Sequence, residues 1–168
     1  MTPFPALNTH STRYLTCAVV SALLLTAPQA IAVEAGASSG TLTFEKSEHL
    51  DSTHNGTKVV TRTVTGVSHA KEKGGPLDDA RFRCHMTLVV AVKSKAPAEG
   101  SGYCHGVGSN GDSWAMLLSG GDTGGTWMFV DGTGRYDNIK GSGTWRHGGS
   151  PQNKSERYDW VGHWELEH

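Results

Sequence analysis

Two cysteines in the body of the chain are each followed by a histidine, giving Cys84-His85 and Cys104-His105. Those residue types support two chemistries. The four side chains could hold a zinc ion as thiolate and imidazole ligands, or the two sulfurs could pair as a disulfide. A bridge closing the loop over residues 85–103 stabilises a fold by on the order of 3 kcal/mol in the chain-entropy picture. Neighbours on a strand point to opposite faces, so Cys84 and His85 do not readily reach one ion from a regular strand. The disulfide is therefore the first reading, with the metal site as its alternative. A bridge would also bring His85 and His105 into one neighbourhood, where Asp112 or Tyr103 could complete an acid–base or metal site; these two histidines are the catalytic candidates. The other histidines, His49, His54, His69, His147, His163 and His168, show no i, i+2 pairing of a strand metal site and read as solvated. No Gly-x-Ser-x-Gly elbow is present, and the leading reading calls for no metal and no cofactor.

The stretch "GTGRYDNIKGSGTW", residues 132–145, invites a phosphate-loop reading and fails it. Counting Gly-x-Gly-x-x-Gly from Gly132 and Gly134 puts Asp137 at the third glycine, and counting from Gly141 and Gly143 puts Arg146 there. No Gly-Lys-Ser/Thr follows at P-loop distance. Gly132, Gly134, Gly141 and Gly143 are structural on this reading and let strands bend and turn.

Processing and compartment set the frame for these residues. Arg13 precedes the apolar run "YLTCAVVSALLLTA", and "AIA" at 30–32 is a small-x-small cleavage pattern, so residues 1–32 read as a secretory signal cut near Ala32. Cys17 lies inside the apolar run after Thr16, not behind it, which argues against a lipid anchor. No later apolar run of roughly 20 residues exists to span a bilayer. The processed chain is expected to be secreted or periplasmic, an oxidising setting in which Cys84 and Cys104 pair. The chain carries 15 basic and 16 acidic side chains. Removing the leader takes Arg13 and no acid, leaving a net charge of −2 with no basic block, which excludes nucleic acid as a partner. The sequons "NGT" at 55 and "NKS" at 153 read as turn chemistry.

Nearly every remaining segment has period two. In "RFRCHMTLVVAV", 81–92, Phe82, Cys84, Met86, Leu88, Val90 and Val92 share one face. In "RYDWVGHWELE", Tyr158, Trp160, Gly162, Trp164 and Leu166 share one face against Asp159, His163, Glu165 and Glu167. Further strands read at 41–46, 57–65, within "GYCHGVG" and "DSWAMLL", and at 126–130 and 139–145, about eight in all. Asn55-Gly56 and Asn110-Gly111 are type I′ hairpin pairs. Residues 33–40 read as a flexible N-terminal segment, 68–80 as the longest loop with one helical turn at "PLDDA", and 93–102 as a second loop. Eight short antiparallel strands hide their edges by closing, so residues 41–168 are expected to form one all-β domain, an antiparallel eight-stranded β-barrel.

In order along the chain, "RCHMTLVV", "GYCHG", "SNGDSW", "GTGRYDNIKGSGTW" and "WVGHWEL" resemble the allene oxide cyclase and dirigent-like barrels, specifically their uncharacterised secreted bacterial members. The resemblance spans roughly residues 80–168. It implies a calycin-type barrel that holds a small apolar or phenolic molecule, or confines a reactive one as a cyclase or isomerase does. Ser109 and Asn110 depart from the aspartate-rich turn of those relatives, which argues against a calcium role for Asp112. The lipocalins and avidins share only Gly-x-Trp, here at Gly125–Trp127 and Gly143–Trp145, as convergent barrel packing.

Alternation places the expected ligand wall at Phe82, Met86, Trp114, Trp127, Tyr158, Trp160 and Trp164. A filled barrel acting through loops 68–80 and 93–102 as a protein-interaction module is the contrasting reading, and homo-oligomers are compatible with both.

Overall fold

The computed structural model describes residues 33–93, 98–121, 123–149 and 156–167; the expected signal at 1–32 and the sequon at 153 lie outside them. Alternating apolar residues generate eight strands: β1 (Val33–His54), β2 (Thr57–Ala70), β3 (Ala80–Ala91), β4 (Glu99–Val107), β5 (Ser113–Gly121), β6 (Gly124–Gly132), β7 (Lys140–His147) and β8 (Arg157–Glu167). Each pairs antiparallel with its sequence neighbours, and β8 pairs with β1, so the expected eight-stranded barrel closes. Closure leaves no strand edge to be protected.

Register explains what fills the barrel. Inward aromatic residues stand opposite glycines on neighbouring strands: Phe82 opposite Gly66 and Gly106, Trp114 opposite Gly106 and Gly132, Trp127 opposite Gly143, Trp160 opposite Gly40. A β-carbon on Gly106 would lie 2.1 Å from Trp114, and one on Gly162 would lie 2.2 Å from Trp127. The glycines are thus the space into which the rings fold. This corrects the bend-and-turn reading for Gly143, which clears room for Trp127, whereas Gly132 lets the Tyr136 backbone approach where the chain turns after β6. Gly134, at φ 59° in a 3-10 turn (Gly134–Tyr136), is a turning residue as expected.

Other details differ from expectation. Residues 33–40, expected to be a flexible N-terminal segment, belong to β1 and pair with β8 from Val33↔Glu167 onward. Asn55 and Gly56 both have positive φ, 48° and 78°, as a type I′ turn demands. The second Asn-Gly pair does not repeat this: β4 and β5 are joined by residues 108–112, with Gly111 alone at positive φ. "PLDDA" forms turns without a helix. In the 71–79 connection, Gly75, Pro76 and Leu77 are buried, and Trp114 Nε1 donates to the Pro76 carbonyl at 2.7 Å. Glu72 straps the connection to β1 by accepting from Ser38 Oγ at 3.0 Å and Ser39 N at 2.9 Å. The polar sequence of this loop conceals an apolar plug for one barrel end.

Gly162→Ala should cost about 1–3 kcal/mol by overpacking the Trp127 ring, read from urea denaturation. Val161→Ala, at an exposed neighbour, should stay within about 0.5 kcal/mol; equal losses at the two sites would refute the packing account.

Candidate functional site

The barrel interior is the candidate site. One inner belt runs through Val64, Cys84, Cys104, Met116 and Phe129, each opposite the next. Cys84 and Cys104 face each other across β3 and β4 and are bonded, with Cα atoms 4.0 Å apart. Both sulfurs are committed to one another, which removes the thiolates the zinc alternative needed. No cluster of three or more metal-ligating side chains occurs among the described residues.

The catalytic candidates point away from this interior. His85 alternates with Cys84 to the outer face, where its Nδ1 lies 3.0 Å from Thr63 Oγ1 and its ring 5.1 Å from that of Tyr103. His105 is exposed on the same outer side. Asp112 is elsewhere, accepting from Asn110 Nδ2 at 2.6 Å and Arg135 N at 3.1 Å. The bridge brings the two histidines onto one face, the outer one, away from the apolar interior and from Asp112. This corrects the acid–base reading, and the cause is strand alternation: whatever flanks an inward cysteine must look outward.

Six of the seven expected wall residues, Phe82, Met86, Trp114, Trp127, Tyr158 and Trp160, border one apolar cavity whose open core is about 50 Å³. Trp164 does not; it folds over Gly36 and Gly75 beside the plug. Sequence reasoning missed Leu42, Phe44, Val64, Met116, Leu118 and Trp145 on the same wall, and above all Arg62. A signal for Arg62 existed: in "TKVVTRTVT" it shares a face with Val60 and Val64, a cation set in an apolar row.

Arg62 lies at the barrel end opposite the plug. Its Nη2 donates to Glu156 Oε2 at 2.5 Å, its Nε donates to Ser47 Oγ at 2.8 Å, and its guanidinium carbon sits 5.7 Å from the centre of the Phe44 ring. Tyr158 Oη donates to the same Glu156 oxygen at 3.2 Å. Burial works against the charge on Arg62, but the Glu156 carboxylate outweighs it and holds the pKa above the usual value. Burial pushes the Tyr158 hydroxyl up to about 12, reinforced by the negative charge of Glu156. The group also borders an open mouth with Ser47, His49, Asp51, Lys58 and His147. The chain thus builds an apolar chamber plugged at one end and bordered at the other by a charged, hydrogen-bonding cluster.

Among solved structures, the fold is similar to that of a pterocarpan synthase dirigent protein, with a TM-score of 0.54 at 11% identity, covering 82% of this chain and 93% of that one. At that identity the likeness is one of fold, a dirigent-like barrel. No family model and no curated protein matches the sequence.

The raised Tyr158 pKa has a definite sign. The folded state holds this proton more tightly than the unfolded chain, whose tyrosines ionise near pH 10. The stabilisation is complete below about pH 10 and is lost as pH rises towards 12. Tyr136, also raised by burial, acts in the same direction. Phenolate absorbance of the native protein should keep a component rising towards pH 12 that Tyr158→Phe removes. An unchanged titration in that variant would mean that Tyr158 is not the buried hydroxyl.

Proposed function

We propose that this dirigent-like barrel is a secreted or periplasmic protein that binds a small apolar or phenolic molecule inside the barrel. The observation carrying this is the polarity of the chamber: aromatic and aliphatic walls, a plug at one end, and Arg62, Glu156 and Tyr158 at the other. Pockets of this kind take the apolar body of a ligand and fix it with a few placed polar groups. A phenol would enter with its ring among Phe44, Phe82 and Trp160 and leave its hydroxyl to donate to Glu156. The open core of about 50 Å³ is narrower than the roughly 150 Å³ that accommodates benzene. Admission therefore requires Met86 and Met116 to re-pack, which their rotatable side chains permit. The Cys84–Cys104 bridge supports an oxidising compartment, in keeping with the leader at 1–32 and a place among the secreted bacterial relatives of allene oxide cyclase.

A confinement-type cyclase or isomerase remains the enzymatic form of this reading. Its ionisable groups would be Arg62, Glu156 and Tyr158 in place of His85 and His105. The filled interaction module loses support from its loops, since the centre of 68–80 is the buried plug.

A second reading concerns self-association. The outer face of β4–β8 exposes Tyr103, Leu117, Met128 and Val161 among serines, threonines and His163, with no lysine, arginine, aspartate or glutamate among the described residues that line it. Charge depletion around apolar residues marks interface cores. Neutrality favours a second copy, since a patch opposed to itself would repel if it carried like charges.

Binding of 4-methylphenol, followed by tryptophan fluorescence, should saturate with a Kd of about 0.1–1 mM, and Arg62→Met should weaken it roughly tenfold, about 1.4 kcal/mol. No saturable change up to about 10 mM would favour the filled barrel. Sedimentation should show an oligomer that Leu117→Glu dissociates; a wild-type monomer at about 100 μM, well above the Kd of a micromolar contact, would end the self-association reading.

A further inference from the structure

Three tryptophans wall the chamber from consecutive strands, Trp127 of β6, Trp145 of β7 and Trp160 of β8. Trp145 and Trp160 are directly opposite each other in register, and the rings of Trp127 and Trp160 lie 6.4 Å apart at 82°. The indole N–H of each is buried without a hydrogen-bond acceptor among the described residues. Trp114 shows the contrast, because its N–H has the Pro76 carbonyl. A buried donor left unmade costs about 1–3 kcal/mol, and folded proteins hold few of them. Three on one wall amount to a patterned demand for an acceptor.

The surroundings explain why the chain does not meet that demand itself. The inward residues near these rings on β6–β8 are glycines and aromatics, and the facing walls are Leu42, Val64, Met86 and Met116. Cross-strand pairing already engages the strands' carbonyls. Of the carboxylates described at the mouth, Glu156 is engaged by Arg62 and Tyr158, and Asp51 is paired with Lys58. A ligand oxygen against the tryptophan wall would find donors and no acceptors. A hydroxyl there would bury its own proton unpaired, whereas a carbonyl or ether oxygen would not.

Resting on the reading that the barrel takes a small molecule, we propose that its occupant is a neutral, planar, apolar compound carrying an acceptor-only oxygen, a ketone, ester or ether. That oxygen receives one or two of the indole N–H groups of Trp127, Trp145 and Trp160, as many as its two lone pairs admit. A phenolic hydroxyl on the same compound would belong at the other pole, beside Glu156 and Tyr158. The tryptophan wall then selects for oxidation state as well as shape, accepting a ketone over its alcohol or hydrocarbon counterpart.

The test uses acetophenone and the near-isosteric ethylbenzene on the full processed chain. In ¹H–¹⁵N spectra at least one of the three indole resonances should move downfield with acetophenone and none with ethylbenzene. Trp127→Phe and Trp160→Phe keep a ring and remove the donor; at least one should weaken acetophenone about 5–10-fold while changing ethylbenzene less than twofold. Comparing each probe across variants cancels its own cost of leaving water. Binding of both probes with equal indole shifts would overturn the acceptor proposal and leave the small-molecule reading standing. Failure of both probes to bind wild type at millimolar concentration would overturn that reading and this proposal together. Persistent cross-peaks between the indole protons and water in the presence of acetophenone would also overturn the proposal, since water would then be the acceptor. The wild-type spectra decide the matter even if a variant fails to fold.

Discussion

The rest of this structure depends on aromatic rings being laid across glycines inside a closed sheet. An eight-stranded barrel has an interior only wide enough for side chains to fill, and tryptophans at neighbouring positions would overfill it. Placing Gly106 against Trp114, and Gly143 and Gly162 against Trp127, lets each ring lie along a neighbouring strand. The rings then meet edge to face, Trp114 and Trp127 each on Phe129 and Trp127 on Trp160, an arrangement that adds to simple burial. The same device sets the character of the cavity. Glycine and indole together leave a wall with almost no acceptor on it.

Polarity along the barrel axis follows from what closes each end. The connection after β2 is polar at Lys71, Glu72 and Lys73 but drives Gly75, Pro76 and Leu77 inward, where the Trp114 indole fixes Pro76. At the other end, a half-buried cation beside Phe44 is sustained by Glu156, which Tyr158 also engages. A buried charge is tolerated when paired and hydrogen-bonded, and pairing at a mouth places it where an entering molecule meets it first. The disulfide belongs to the belt between the two ends. It joins adjacent strands at directly opposed inward positions, so it pins the β3–β4 register that aligns Phe82 with Gly106 and Met86 with Gly102.

Much of the scaffold was legible because it is local. Period-two patterning over 81–92 and 157–167 depends only on strand geometry, and it sorted Phe82, Cys84 and Met86 from Arg83 and His85 without knowledge of any partner. Asn55-Gly56 carries its own turn preference. The second such pair misled because Asn110 is fixed by contacts of its side chain with Asp112, a tertiary choice among several turns that the dipeptide allows. The small residues of 33–40 misled in the same way, since they gain strand structure by pairing with β8.

The sequence by itself determined an all-β chain, a pair of cysteines in its body, and which side chains share a strand face. Tertiary structure alone decided which face is inside, and therefore that His85 and His105 look outward while Arg62 looks in. It also decided that Glu156, distant in the chain, balances Arg62, that Trp145 joins Trp127 and Trp160, and that a polar loop supplies the plug. The physical reason is that alternation is a property of one strand, whereas enclosure, charge pairing and an unmet hydrogen bond are properties of strands brought together.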